Sequence, residues 1–220
     1  MQIRQGFLQE MKLLHLDLIK MGSLAEESIM KSVLALQSRD AHLAEAVVRG
    51  DDRIDDLEKN IESRCLSLIL RQQPIAGDLR KISTALKMVT DLERIGDNAA
   101  DIAQISLSLR GEPLMELFQH IPPMAEAAVE MVRKSIDAFI AGDLSLAEKI
   151  ILDDDIVDDL FCCVKNDLAE TLKKDQDRDN NSIDYLMIAK YLERIADHAV
   201  NICEWVIFSE TGIHKNKRIL

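Results

Sequence analysis

Apolar residues recur at steps of three and four from Leu8 through Met11, Leu14, Leu18, Met21, Ala25, Ile29 and Val33 to Leu36, the spacing that lines one face of a helix. The pattern stops at Ser38-Arg39-Asp40 and so predicts a first helix over residues 7–37. A second run, with Val47, Ile54, Leu57, Ile61 and Leu68 inward, extends from Ala41 to about Gln72 and ends before Pro74, whose ring cannot continue a helix. A third helix is expected from Asp78 to about Leu109. The pattern then restarts: Ala125 to Ala141, a turn at Gly142-Asp143, Leu144 to Lys174, and Ser182 to Glu210. Arg110-Gly111-Glu112-Pro113 and Ile121-Pro122-Pro123 hold three of the four prolines and predict a linker. The polar stretch Asp175-Gln176-Asp177-Arg178-Asp179-Asn180-Asn181 predicts a loop. Each half is therefore three long helices that can bury a shared seam. The fold class expected is all-α: two tandem antiparallel three-helix bundles, divided as 1–111 and 112–220.

A duplicated phrase strengthens the division. Leu92-Glu93-Arg94-Ile95-Gly96-Asp97-Asn98-Ala99-Ala100-Asp101 returns one hundred positions later as Leu192-Glu193-Arg194-Ile195-Ala196-Asp197-His198-Ala199-Val200-Asn201, with six of ten positions identical. A four-residue step is slightly more than one helical turn, so Glu93, Asp97 and Asp101 form a column of carboxylates. The seam of the same helix is Ala85, Met88, Leu92, Ile95, Ala99 and Ile102, repeated as Tyr185, Ile188, Leu192, Ile195, Ala199 and Ile202. At 100° per residue the acids avoid it: Glu93 flanks the seam, Asp97 lies nearly opposite, and the column should rise towards solvent. Glu193, Asp197 and Asn201 occupy the equivalent surface.

A second acidic pair precedes each column, Asp51 with Asp55 and Asp154 with Asp158, each flanking an apolar residue, Ile54 or Val157. If paired helices are antiparallel neighbours, four carboxylates from two helices converge in a surface groove in each half. Clustered like charges repel, and a divalent or trivalent cation with oxygen ligands would turn that repulsion into a site. A solvated acidic face is the plainer account of any one column. The recurrence of both motifs in both halves favours the cation. His198, beside Asp197, is a candidate for the metal shell or for hydrogen bonding around it, although its counterpart is Asn98. Arg94 and Arg194 read as charge compensation for the acids.

Composition narrows the function. With 4% aromatic residues the chain has the make-up of helices. A formal net charge of -12 argues against a nucleic-acid partner and suits a cation or a basic protein surface. No stretch of about 18 apolar residues occurs, and the start Met1-Gln2-Ile3-Arg4-Gln5 lacks the regions of a signal peptide, so no membrane insertion and a cytoplasmic location are expected. Cys65, Cys162, Cys163 and Cys203 show no zinc-ligand spacing and are expected as buried or half-buried free thiols.

The run Arg71-Gln72-Gln73-Pro74-Ile75-Ala76-Gly77-Asp78-Leu79-Arg80, followed by Asp91-Leu92-Glu93-Arg94-Ile95-Gly96-Asp97, resembles the signature of the PhoU family of phosphate-transport accessory proteins. The resemblance covers both halves. It implies two three-helix bundles, a homodimer, and a cytoplasmic regulator rather than an enzyme. It also implies a surface motif, E(D)xxxD, that holds multinuclear iron or zinc in some members, with manganese or magnesium as further possibilities. Placed on this chain the motif falls on Asp51 and Asp55, Glu93 and Asp97, Asp154 and Asp158, and Glu193 and Asp197. Asp101 and Asn201 extend the columns as further candidate metal residues, and their difference hints that the two sites are unequal. The partners implied are the ATPase component of the high-affinity phosphate transporter and the phosphate-sensing histidine kinase, with the phosphate-starvation response held down when phosphate is plentiful.

Two other classes compete. A carboxylate-bridged di-iron enzyme would use Glu-x-x-His on core-facing positions, and no Glu here has His three residues later. A metal-free helical adaptor would need only protein contacts.

Overall fold

A computed structural model of the protein describes residues 2–72, 74–109, 118–174, 181–215 and 217–218. The helices are α1 (Gln2–Ser38), α2 (Ala41–Gly50), α3 (Asp52–Gln72), α4 (Ala76–Ser108), α5 (Ile121–Ala141), α6 (Leu144–Lys174) and α7 (Asn181–Thr211). A two-residue hairpin follows, β1 (Ile213–His214) against antiparallel β2 (Lys217–Arg218). The all-α duplicated fold is as the periodicity predicts. The linker at Arg110-Gly111-Glu112-Pro113, the 111/112 boundary and residues 175–180 of the expected loop lie outside the described residues. Asn181 is not in a loop but opens α7.

Ile121-Pro122-Pro123 is not linker. It is the first turn of α5, because a helix start leaves N–H groups unbonded and a proline there loses nothing. The second run is not one helix: its ladder is interrupted at Asp51, where Ile54 N and Asp55 N both donate to the Asp51 carbonyl at 2.7 and 3.2 Å. Leu8 is exposed and Phe7 fills the seam in its place. Every other predicted seam residue is buried.

The turns that reverse the chain are themselves duplicated. Arg39 (φ 55°) and Gly142 (φ 66°) both adopt the left-handed conformation that ends a helix. The aspartate that follows each caps the next helix: Asp40 Oδ1 accepts from Leu43 N, and Asp143 Oδ1 from Leu146 N, each at 3.0 Å.

The halves are not beads on a string. α4 packs on α1, α2 and α3 of its own half and on α7 of the other; α7 packs on α5 and α6 as well as α4, and α1 also meets α5. One hydrophobic core therefore runs through both repeats, from Leu14 and Met21 across Met88, Leu92 and Ile95 to Leu192, Ile195 and Ile202. Polar contacts tie the same seam: Thr84 Oγ1 donates to the Trp205 carbonyl at 3.2 Å and Arg80 Nε to the Ser209 carbonyl at 3.0 Å. Beyond them the hairpin folds back on α7, placing the His214 ring edge-on to Trp205, centroids 3.9 Å apart, and Lys215 Nζ 2.8 Å from Glu204. Lys87 of α4 lies over the same indole.

Cys65 and Cys203 are buried, and burial pushes both thiols up to about 12. Cys162 and Cys163 are exposed instead, on the solvent side of α6.

Candidate metal centres

The break at Asp51 sits where α3 meets α4. The short turn before Ala76 makes these helices antiparallel, so Asp51 at the α2–α3 break and Asp55 of α3 run past Asp97 and Glu93 of α4. Gly96 allows the approach: a Cβ there would lie 2.9 Å from Asp51 Oδ1 and 2.8 Å from Ile54 Cδ1. The carboxylates are consequently half-buried in a groove rather than raised into solvent as helical projection suggested. Burial first, then the charges of Asp97, Asp55 and Glu93, push the Asp51 carboxyl up to about 6. Glu93 is raised as well, chiefly by burial and then by Asp97.

Arg94 supplies partial compensation. Its Nη1 donates to Asp97 Oδ2 at 2.9 Å, and its Nε lies 3.3 Å from Glu93 Oε2 without the alignment to donate. Glu93 Oε2 is thus a buried oxygen with no hydrogen-bond donor.

The second repeat reproduces the arrangement with Asp154 and Asp158 on α6 and Glu193 and Asp197 on α7. Burial, then Asp158, Asp197 and Glu193, push Asp154 up to about 6. Burial and Glu193 likewise raise Asp197. Compensation is different here. Arg194 sits over the Tyr191 ring, 5.9 Å from its centroid, and Lys190 Nζ donates to Glu193 Oε2.

Asp101 and Asn201, which spacing alone adds to the columns, join neither cluster. Each crosses to the opposite repeat. The Tyr191 side chain of α7 faces Asp101 of α4, whose carboxylate adds to burial in raising the hydroxyl. Asp91 of α4 accepts from His198 Nδ1 at 2.9 Å and faces Asn201 Nδ2 at 3.5 Å. Positions 91 and 191 are aligned in the repeat, so these are two halves of one pseudo-symmetric contact. His198 is turned towards that contact. Helical spacing could not show this, since it reports the face of a helix and not which neighbour covers it.

Sequence reasoning also missed Glu58. It continues the α3 stripe one turn beyond Asp55, and its charge raises Glu93 while burial and Glu62 raise its own carboxyl. The signal was present as Asp51, Asp55, Glu58 and Glu62 at helical spacing.

An all-carboxylate donor set, raised in each cluster by burial and then by its own repulsion, with a buried oxygen that lacks a hydrogen bond in the first, fits a cation that takes oxygen ligands. Among the described residues no three carboxylate, imidazole or thiol groups already surround a common point at ligand distance. The backbone brings the acids close enough for their charges to act on one another, short of a closed shell.

Fold and site together define a class: a duplicated helical protein carrying one acidic groove per repeat on either side of a shared seam. The PhoU domain matches residues 18–106 and 121–206. The chain is 40% identical over 210 residues to the phosphate-specific transport system accessory protein PhoU homolog of Clostridium acetobutylicum, covering 95% of this chain and 96% of that one. A homolog from Thermotoga maritima is 35% identical, covering 94% and 89%. Among solved structures, PhoU from Pseudomonas aeruginosa superposes with a TM-score of 0.88 at 33% identity, covering 94% of this chain and all of that one. The phosphate transport system regulatory protein PhoU from Streptococcus pneumoniae gives 0.87 at 32%, covering 94% and 98%. This chain belongs to the PhoU family.

Proposed function

We propose that the protein is a cytoplasmic, non-enzymatic regulator of phosphate homeostasis that restrains high-affinity phosphate uptake and represses the phosphate-starvation response through protein contacts. The observation that carries this is the match of both repeats, along nearly the whole chain, to accessory proteins of phosphate-specific transport. The partners proposed are the transporter's ATPase component and the phosphate-sensing histidine kinase, and the working form is a homodimer. Large apolar side chains stand in solvent near the α3–α4 turn (Leu66, Leu70, Ile75) and, separately, on α6 (Leu152, Ile156), and exposed apolar groups of this size suit protein contacts. No described helix is long and apolar enough to cross a membrane. The regulatory role is tested by deleting the gene and measuring a phosphate-starvation reporter in phosphate-rich medium. Derepression is expected, and a reporter that stays silent would refute the role.

The acidic grooves are read as cation sites. Asp51, Asp55, Glu93 and Asp97 would hold a metal in the first repeat, and Asp154, Asp158, Glu193 and Asp197 in the second, with iron or zinc proposed and manganese or magnesium as alternatives. A bound cation would supply charge neutralisation, clamping α3 to α4 and α6 to α7. Elemental analysis of untagged protein tests this, expecting stoichiometric metal; its absence, with no uptake by chelator-treated protein, would reject it. A di-iron enzyme fits less well, because Glu-x-x-His is missing and the acids open towards solvent.

A further inference from the structure

The two grooves match in backbone position, yet one corner of each is built from opposite chemistry. The stripe that starts at Asp51, just before α3, and includes Asp55 continues along α3 into Glu58 and Glu62; the residues of α6 aligned with these last two are Phe161 and Lys165. On the facing helix Thr90 in the first repeat aligns with Lys190 in the second. Lys190 Nζ lies 5.5 Å from the Phe161 ring centroid, with Lys165 Nζ at 4.8 Å over the same ring, and cation–π attraction of this kind helps fix an ammonium. From that seat Lys190 donates to Glu193 Oε2. The same atom of the first repeat, Glu93 Oε2, is buried and has no donor.

Arg94 does not block the first groove in the same way. Its side chain is 54% exposed, donates to Asp97 from the rim, and lies 3.3 Å from Glu93 Oε2 as an ion pair without a hydrogen bond. A cation entering the second groove competes with a tethered ammonium for a carboxylate oxygen. One entering the first finds that oxygen facing only a rim guanidinium, with no hydrogen bond to displace, and an additional carboxylate nearby. Coulomb attraction favours the first on both counts.

We propose that Glu58 is a further ligand of the first cluster, and that Lys190, seated on Phe161, is a built-in counter-ion in the matching corner of the second. The first repeat therefore binds divalent cations more tightly than the second. The inference rests on reading the grooves as metal sites.

The test is titration of the full chain, freed of metal with chelator, with Mn2+ followed by the EPR signal of the free ion. Wild-type protein should show two classes of site, and Asp154→Asn should remove only the weaker. Glu58→Gln should weaken the tighter class by about tenfold and leave the other unchanged. Lys190→Thr should tighten the weaker class. A single class of equal sites, or inert Glu58→Gln and Lys190→Thr variants in chains that melt like wild type, overturns the inference while the metal reading stands. No uptake of Mn2+, zinc or iron by either repeat overturns both.

Discussion

His198 of the second repeat holds Asp91 of the first, Nδ1 to Oδ1 at 2.9 Å, across the seam where α4 and α7 meet. A residue that the sequence offers either for a metal shell or for hydrogen bonding around it joins the two repeats. Replacing Asp91 with Ala leaves the half-buried imidazole without its acceptor and removes the group facing Asn201. A loss of about 1–2 kcal/mol is expected, read from urea unfolding. An unchanged midpoint would show that the contact holds nothing together.

The duplicated turn gives a paired prediction. Arg39 carries a side chain in the left-handed region, where Gly142 has none. Arg39→Gly should therefore raise stability, and Gly142→Ala should lower it, each by about 1 kcal/mol. Thermal melts of both variants check the opposite signs.

Asp51 and Asp154 set a pH dependence. Both carboxyls hold their protons up to about 6 in the folded chain, against 3.8 normally. Between those values the folded state binds more protons than the unfolded one, so stability from these groups is present below about pH 4 and lost as pH rises through 6. The double variant Asp51→Asn, Asp154→Asn should be more stable than wild type in chelator at pH 7.5, by roughly 1 kcal/mol after discounting for solvent screening. The gap should close towards pH 4. A gap of constant size would mean that the burial and mutual repulsion of charged carboxylates are not what the substitutions relieve.

The same repulsion predicts the response to cations. At pH 7.5, stripping metal with chelator should lower the wild-type melting temperature, and adding back Mn2+ should restore it. In the double Asn variant the shift should shrink sharply. Equal shifts in both proteins would place the responsive cation elsewhere.

Helix-forming segments, the duplication and the four acids of each groove were legible in the sequence because each is a local periodicity. What was not legible depends on a neighbour. Ile121-Pro122-Pro123 signals a break by composition, yet prolines are welcome in a first helical turn. Asp101 and Asn201 share a column with true groove residues, and only the packing of α4 on α7 sends them across the seam. Leu8 and Phe7 are adjacent and both apolar, so periodicity could not say which of them turns inward. Glu58 and Lys190 lie on visible helical stripes, but their opposed roles emerge only when the two repeats are overlaid in space.

Trp205 is the sole tryptophan of the chain, and its surroundings make it an intrinsic spectroscopic probe. Its carbonyl receives Thr84 of α4, its indole lies beneath Lys87, and His214 of the terminal hairpin abuts the ring. Emission excited at the indole band thus comes from one location, the junction of the two repeats. A partner or ion that pries α7 from α4 should shift that emission, so coupling between the repeats can be followed in unlabelled protein.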